Sequence, residues 1–331
     1  MSATLTDGGP VAETSADAPD DTNAAASGAA VLTPHVPLTK AVLLFNPASG
    51  SVGPNVEAEA RAIFDAYGLA AELQALSGDF DATLDAAFAA EPDVIFVLAG
   101  DGTARSVASR AGPDGPLVAP LPGGTMNMLP KALYGTTDWQ AALRSALEAG
   151  EARFVAGGRV GAEPPFYCAA ILGSPALWAP AREAVRSGRL GLAWAHARRA
   201  LKRAFSGRIR FSLDGSRPRR AEALVLISPM ISRAMDEPVG LEAAAMDPGH
   251  AADAFRLAAH ALFDDWRHDP AVTARPAKRA VVSARSRIPA VIDGEPVMLD
   301  REEAISFVPR AFRALAPRPP QTPPPVGEGV L

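Results

Sequence analysis

The sequence predicts an α/β fold, an N-terminal parallel-sheet domain followed by a β-rich, sandwich-like second domain. Three observations carry this. Strand-length apolar runs alternate with helix-period segments from residue 41 to 98, and after about Gly150 the pattern changes to short strands. With 331 residues, 48% of them hydrophobic, the chain can also fill two cores. The first strand is the apolar run 41–45, closed by the turn-forming Asn46-Pro47-Ala48-Ser49-Gly50. A helix over 56–67 follows, because Val56, Ala60, Ile63, Phe64 and Tyr67 recur at helical spacing. A strand at 71–76, a helix at 80–90 and the most strand-like run, 93–98, complete a βαβαβ order. Such sheets bind ligands beyond the carboxyl ends of their strands.

A strand at 117–120 continues the first domain, which is predicted to span 39–150. In the second, over 151–316, strands are expected at 154–160, 166–172, 209–213, 223–228, 280–284, 290–292 and 305–308. A basic helical insertion at 180–206 interrupts them, and 248–266 also reads as helix. Residues 1–38 are poor in large apolar side chains and cannot offset their ordering entropy, so a disordered tail is predicted there. Residues 317–331, rich in proline, read as a second loose tail.

The net charge of −5 excludes whole-chain attraction to nucleic acid. One cysteine, Cys168, cannot form an internal disulfide and reads as a buried small side chain. No signal-peptide pattern or apolar run of about 18 residues occurs, so the expectation is a cytoplasmic protein that meets lipid, if at all, from the surface.

The chemistry gathers in loops. Gly100-Asp101-Gly102-Thr103 follows the third strand and leads into a helix predicted at 104–110. Glycines let backbone N–H groups approach phosphate oxygens, and a helix start adds positive partial charge. Asp101, itself anionic, acts either through Mg²⁺ or by hydrogen-bonding the loop, and Thr103 offers a hydroxyl donor. A second glycine loop, Leu121-Pro122-Gly123-Gly124-Thr125-Met126-Asn127, and the Asn46–Gly50 turn end at the same sheet edge. Neither a G-x-x-x-x-G-K-[ST] string nor a G-x-G-x-x-G fingerprint at a strand end is present.

The motifs N-P-x-S-G at Asn46–Gly50, G-D-G-T at Gly100–Thr103, G-T-x-N at Gly124–Asn127 and D-G-E at Asp293-Gly294-Glu295 occur in order. This set resembles the diacylglycerol kinase catalytic-domain family, which includes sphingosine, ceramide and bacterial lipid kinases. The resemblance implies a nucleotide-binding first domain, ATP with Mg²⁺, a lipid-binding second domain and transfer of the γ-phosphate to a lipid hydroxyl. It implies nucleotide contacts from Asn46, Ser49, Gly50, Gly100, Asp101, Gly102, Thr103, Gly124, Thr125 and Asn127, with Ser77 at the end of the second strand. By the same resemblance Asp293 is the candidate general base, Glu295 lies near the nucleotide, and Asp101 belongs to the catalytic set. A carboxylate can take the proton of an attacking alcohol. Read as a turn, Asp293-Gly294 is also a hairpin signal.

Several positions depart from the family pattern: Ala99 for the first glycine, Arg105-Ser106 for Asn-Glu, and Met128 for aspartate. The family's structural metal stretch has only a distorted counterpart at Asp236-Glu237-Pro238-Val239-Gly240-Leu241. The alternatives are a NAD-kinase-like or other small-molecule kinase, or a catalytically weak nucleotide- or lipid-binding regulatory protein. Between Arg182 and Arg210 there are nine Lys or Arg against Glu183. Leu190, Trp194, Ala197, Leu201 and Phe205 form an apolar stripe beside them. This pattern suits peripheral docking on an anionic membrane as well as packing on the protein's own second domain.

Overall fold

In a computed structural model, residues 32–50, 52–173, 208–232, 239–247 and 272–318 are described. The tail before residue 32, the basic insertion at 180–206, Asp236, the helix predicted at 248–266 and most of the C-terminal tail lie outside them.

The apolar runs form a parallel sheet. β1 (Ala41–Phe45) pairs with β2 (Ala71–Ala75) on one side and β3 (Val94–Ala99) on the other, and β3 pairs with β4 (Leu117–Pro122). β1, β3 and β4 are buried along their whole length, as parallel strands covered on both faces must be. α1 (Val56–Ala66) and α5 (Trp139–Ala149) cover one face. α2 (Phe80–Ala89), α3 (Asp101–Ala111) and α4 (Met128–Tyr134) cover the other. Asp79 and Asp138 cap α2 and α5 by accepting backbone N–H bonds with their side chains. With strand order β2-β1-β3-β4, the direction of winding switches between β1 and β3, where the first two motif loops emerge.

Beyond α5 the strands are β5 (Gly150–Val160), β6 (Ala169–Gly173), β7 (Ile209–Leu213), β8 (Arg219–Ala221), β9 (Ala223–Ile227), β10 (Leu241–Met246), β11 (Val272–Ala277), β12 (Arg279–Ser283), β13 (Ile288–Ile292), β14 (Glu295–Leu299) and β15 (Glu302–Pro317). A six-stranded antiparallel sheet, β11-β10-β9-β6-β13-β14, packs on the outer part of a nine-stranded one. The buried core between them includes Phe166, Leu172, Phe211, Leu226, Leu241 and Ile305.

The larger sheet is continuous with the parallel one because β15 joins them. β15 pairs parallel with β4 at Ala314↔Val118 and antiparallel with β5 and β12. A strand of four residues, 305–308, is predicted from sequence. The structure corrects this to sixteen residues. The register against β5 shifts between Val308 and Phe312, so a bulge takes up Pro309 and the pairing resumes. Leu32–Leu331 consequently falls in one compact unit.

Other differences have local causes. The Gly-Asp-Gly-Thr segment is the first turn of α3 with Gly100 as its cap, rather than a loop ahead of a helix. α5, β8, β10, β11 and β14 were not predicted. β10 is rich in alanine, which signals no strand, while β11 and β14 carry Pro276 and Pro296, tolerated because both strands are sheet edges. Within the stretch assigned by composition to the N-terminal tail, Leu32 N–H donates to Ala66 O at 2.9 Å and His35 N–H to Leu147 O at 2.8 Å. Val36 and Leu38 pack on the core there.

Phe312 of β15 is fully buried, with its ring edge-on to Tyr167 at 4.8 Å. Phe312→Ala is expected to cost about 3–5 kcal/mol of stability through the cavity it leaves. Urea unfolding followed by tryptophan fluorescence checks this; a loss within ~1 kcal/mol would contradict the role given to Phe312.

Candidate functional site

The loops at the carboxyl ends of β1, β3 and β4 are tied together by the backbone. Asn46 N–H donates to Leu98 O at 3.0 Å, binding the first loop to the end of β3. Asn46 Oδ1 accepts from Ala48 N–H at 3.0 Å, an Asx turn, and Asn46 O accepts from Ser49 N–H. The third loop lies directly on β3. A Cβ at Gly123 would stand 2.5 Å from Ala99 N, and one at Gly124 would stand 2.7 Å from Gly100 Cα. These two glycines are therefore required by backbone crowding. Asn127, buried and at φ +48°, closes the loop: its Oδ1 accepts from Gly124 N–H and its Nδ2 donates to Gly124 O, both at 2.8 Å.

Gly50, Gly100 and Gly102 are different. None has a positive φ, and a Cβ on Gly50 or Gly100 would meet nothing within 4 Å. On Gly102 its nearest neighbour is Glu295 Oε1, at an ordinary 3.7 Å. Nothing in the chain's own packing asks for glycine there. The first-turn N–H groups of α3 have no partner within the helix, so the helix start can receive an anion.

Asp101 turns its carboxylate toward the start of α4, where Oδ1 accepts from Leu129 N–H at 3.3 Å. Burial pushes its carboxyl above the usual carboxylate range, opposed by backbone N–H groups of Met128, Leu129 and Asn127. Of the two roles read from sequence, hydrogen-bonding the loop is the one seen. Thr103 is partly exposed, Thr125 and Ser77 are exposed, and Ser77 N–H donates to Ala75 O at 2.9 Å.

From the antiparallel sheet comes Asp293. Asp293 and Gly294, at φ +48° and +90°, are the two-residue turn between β13 and β14, so the hairpin reading of this dipeptide also holds. The carboxylate reaches back across the sheet. Oδ2 accepts from Tyr167 N–H at 2.8 Å, and Oδ1 accepts from Cys168 N–H at 2.8 Å and Ala169 N–H at 2.9 Å. Burial pushes this carboxyl upward, while the three amides and the Arg105 cation pull it down. Each carboxylate oxygen has about two acceptor positions, which leaves one on Oδ2. The residue is partly exposed.

The two halves meet around residues 164–169. Cys168 is buried, and burial together with the charges of Asp293 and Asp101 drives its thiol well up. Burial likewise raises the Tyr167 hydroxyl to about 12, and Ser109 Oγ lies 3.2 Å from it. Arg105 donates from Nε to Pro165 O at 2.9 Å and from Nη2 to Pro164 O at 2.7 Å.

Glu295 over Gly102, and Asp293 beside Cys168, bring the late motif to the α3 start. Sequence reasoning missed Arg105, Ser109 and the amides of Tyr167, Cys168 and Ala169. The visible signals were the atypical Arg105 and the Pro164-Pro165 pair, neither of which names its partner. Among the described residues no group of three or more His, Cys, Asp or Glu side chains gathers to hold a metal ion. A recess of about 380 Å³, lined by Lys40, Arg61 and Phe64 among others, lies at the amino ends of β1 and β2, away from the motif loops.

The fold is an α/β parallel sheet whose motif loops are met by a hairpin turn of an antiparallel sheet. The family model of the diacylglycerol kinase catalytic domain matches residues 40–158, which carry that domain's sequence pattern. Among solved structures, a protein assigned as a diacylglycerol kinase from Bacillus anthracis strain Sterne is 17% identical, with a TM-score of 0.65 over 85% of this chain and 98% of its own. A second crystal structure under that description gives the same identity and score, covering 96% of its chain. A diacylglycerol kinase structure from the same strain is 14% identical with a TM-score of 0.59 over 85% of this chain and 98% of its own. The structural likeness extends past residue 158 and is a likeness of fold. No curated protein matches the chain.

Asp101 supplies a stability test. Its folded-state value lies above the unfolded ~3.9, so its contribution is fully present below about pH 4 and is lost as pH rises through the folded value. Asp101→Asn keeps an acceptor without the charge. Relative to wild type it is expected to be more stable at about pH 7 than at about pH 4, measured by urea midpoints across that range. A pH-independent difference would contradict the direction given.

Proposed function

We propose that this protein is an ATP-dependent lipid kinase that transfers the γ-phosphate of ATP to a hydroxyl of diacylglycerol, ceramide or a related lipid. The observation that carries the reading is the set of open glycines, Gly50, Gly100 and Gly102, at the switch point of the parallel sheet. Their missing Cβ atoms leave a cradle that a triphosphate would fill, over first-turn amides of α3 that have no partner within the helix. The kinase catalytic-domain match over 40–158 supports ATP use.

In this reading Asn46, Ser49, Gly50, Gly100, Gly102, Thr103, Gly124 and Thr125 border the nucleotide, with Ser77 at the outer side. Asn127 and Asp101 shape the loops that do so. Asp293 takes the proton of the lipid hydroxyl through the free acceptor position of Oδ2, and its burial makes it a stronger base than an ordinary carboxylate. Glu295 stands at the edge of the phosphate cradle. Mg²⁺ accompanying ATP would offset the charge that Asp101, Asp293 and Glu295 set against a triphosphate. The described residues build no separate metal centre for it.

Lipid is met from the membrane surface. Among the described residues no helix is long and apolar enough to cross a membrane. The basic stretch 182–210 remains the proposed contact with anionic lipid, although of its charges only Arg208, paired with Asp247, and Arg210, exposed on β7, are described.

Radiolabelled ATP with a panel of diacylglycerol, ceramide, NAD and sugars tests the reading. Labelled lipid is expected; labelled NAD or sugar only, or intact ATP binding without any product, would overturn it. Asp293→Asn is expected to abolish turnover while ATP binding persists, checked by single-turnover assay and calorimetry; unchanged turnover removes Asp293 from the base role. Gly102→Ala separates fold from function. Alanine should add about 0.5–1 kcal/mol to α3, yet weaken ATP binding by roughly tenfold by filling the cradle. A stabilised variant with unchanged ATP affinity would show that the triphosphate lies elsewhere.

A further inference from the structure

Arg105 stands where the resemblance would place an uncharged residue, and its contacts show what this chain does with the difference. One turn into α3, its guanidinium forks onto two consecutive carbonyls, Pro165 O from Nε at 2.9 Å and Pro164 O from Nη2 at 2.7 Å. A planar fork suits such a pair; a lysine ammonium would make a single point contact. One turn further along the same helix face, Ser109 Oγ meets Tyr167 OH at 3.2 Å. Residues 164–169 are thus gripped by α3 on one side. On the other they are pressed on β5, where Gly158 and Phe166 exchange backbone hydrogen bonds at 2.9 and 2.7 Å.

The gripped segment is the one that holds the base. Directly after Pro164-Pro165 and Phe166 come the three amides, of Tyr167, Cys168 and Ala169, that engage Asp293. Two prolines in succession restrict the backbone between the guanidinium and those amides. Contacts therefore run without a gap from the helix that begins at Gly-Asp-Gly-Thr, through Arg105, to the carboxylate on the β13–β14 turn.

We propose that Arg105 is a positioning residue that couples the start of α3 to Asp293, by clamping the Pro164-Pro165 segment and by setting its positive charge toward the carboxylate. What Asp293 does in the reaction rests on the lipid-kinase reading; the coupling itself does not. Among the described residues, the titratable and charged groups around Asp293 include Arg105 from α3, Tyr167 and Cys168 from the segment before β6, Asp101 through Cys168, and Glu295 two residues along. The Arg105 charge lowers the Asp293 carboxyl.

The experiment reads the base directly. The intact protein is labelled with ¹³C-aspartate, Asp293 is assigned with D293N, and its carboxylate is titrated by NMR in wild type, R105Q and R105K. In R105Q the Asp293 pKa is expected to rise by about half a unit or more, because a favourable charge is gone; R105K, which keeps the charge, should stay within ~0.3 unit of wild type. In turnover assays R105Q should lower kcat at least about tenfold with KM for ATP within roughly twofold, and the acid limb of the pH profile should move up with the NMR value. An unchanged Asp293 pKa in R105Q overturns the electrostatic half, and unchanged kcat overturns the positioning half. Should R105Q fail to fold, R105K decides the clamp: a kcat fall with Asp293 unshifted supports it, and wild-type kcat removes it. If wild type phosphorylates no lipid, the kinase reading fails by itself while the titration still decides the coupling.

Discussion

The arrangement depends on one strand. β15 is hydrogen-bonded to β4 in parallel and to β5 and β12 in antiparallel sense, so the parallel strands and the antiparallel strands β5, β12, β7 and β8 form one hydrogen-bonded sheet. Side chains lock it further. Tyr134 OH donates to Leu315 O at 2.7 Å, Arg313 to Gly115 O at 2.6 Å, and Arg153 to Pro317 O at 2.6 Å. The six-stranded sheet that carries Asp293 is separate from this one and is held against it by the packed core between the two. Phe312 carries that order to the site, since its ring supports Tyr167, whose amide holds Asp293.

Asp293 shows how one residue meets two demands. Its left-handed backbone suits the tight turn, and its carboxylate is the acceptor that gathers three successive amides of a segment more than 120 positions earlier. Three charge-assisted hydrogen bonds orient the group, and burial opposes its ionisation. With three amides accepted, the carboxylate keeps an acceptor position on Oδ2.

The departures from the family pattern find structural uses. Arg105 clamps the Pro164-Pro165 segment, Ser106 Oγ donates to Gly102 O at 3.1 Å within α3, and Met128 packs on the core beneath the loops. Ala99 is buried at the point where Gly123 crosses β3. None of these four leaves the Gly-Asp-Gly-Thr turn without support.

Much was legible in the sequence because it is written in local periodicity. The strands at 41–45 and 93–98 and the helices near 56–66 and 80–89 follow from apolar spacing, and the glycine loops follow from their place at strand ends. Asp293-Gly294 announced its turn for the same reason. What the chain could not state by itself is non-local. Pro309 looks like a strand end until the bulge on β5 absorbs it, and the prolines of β11 and β14 are tolerated only because those strands lie at edges. The sorting of glycines into crowded (Gly123, Gly124) and open (Gly50, Gly100, Gly102) depends on which backbone passes nearby. The sequence by itself determined the parallel sheet and the order of the motif loops along its edge. Tertiary structure decided that Asp101 is turned to α4, that Glu295 reaches Gly102, that Arg105 forks onto Pro164 and Pro165, and that the amides of 167–169 hold Asp293, because contacts between residues far apart in the chain have no linear period to read.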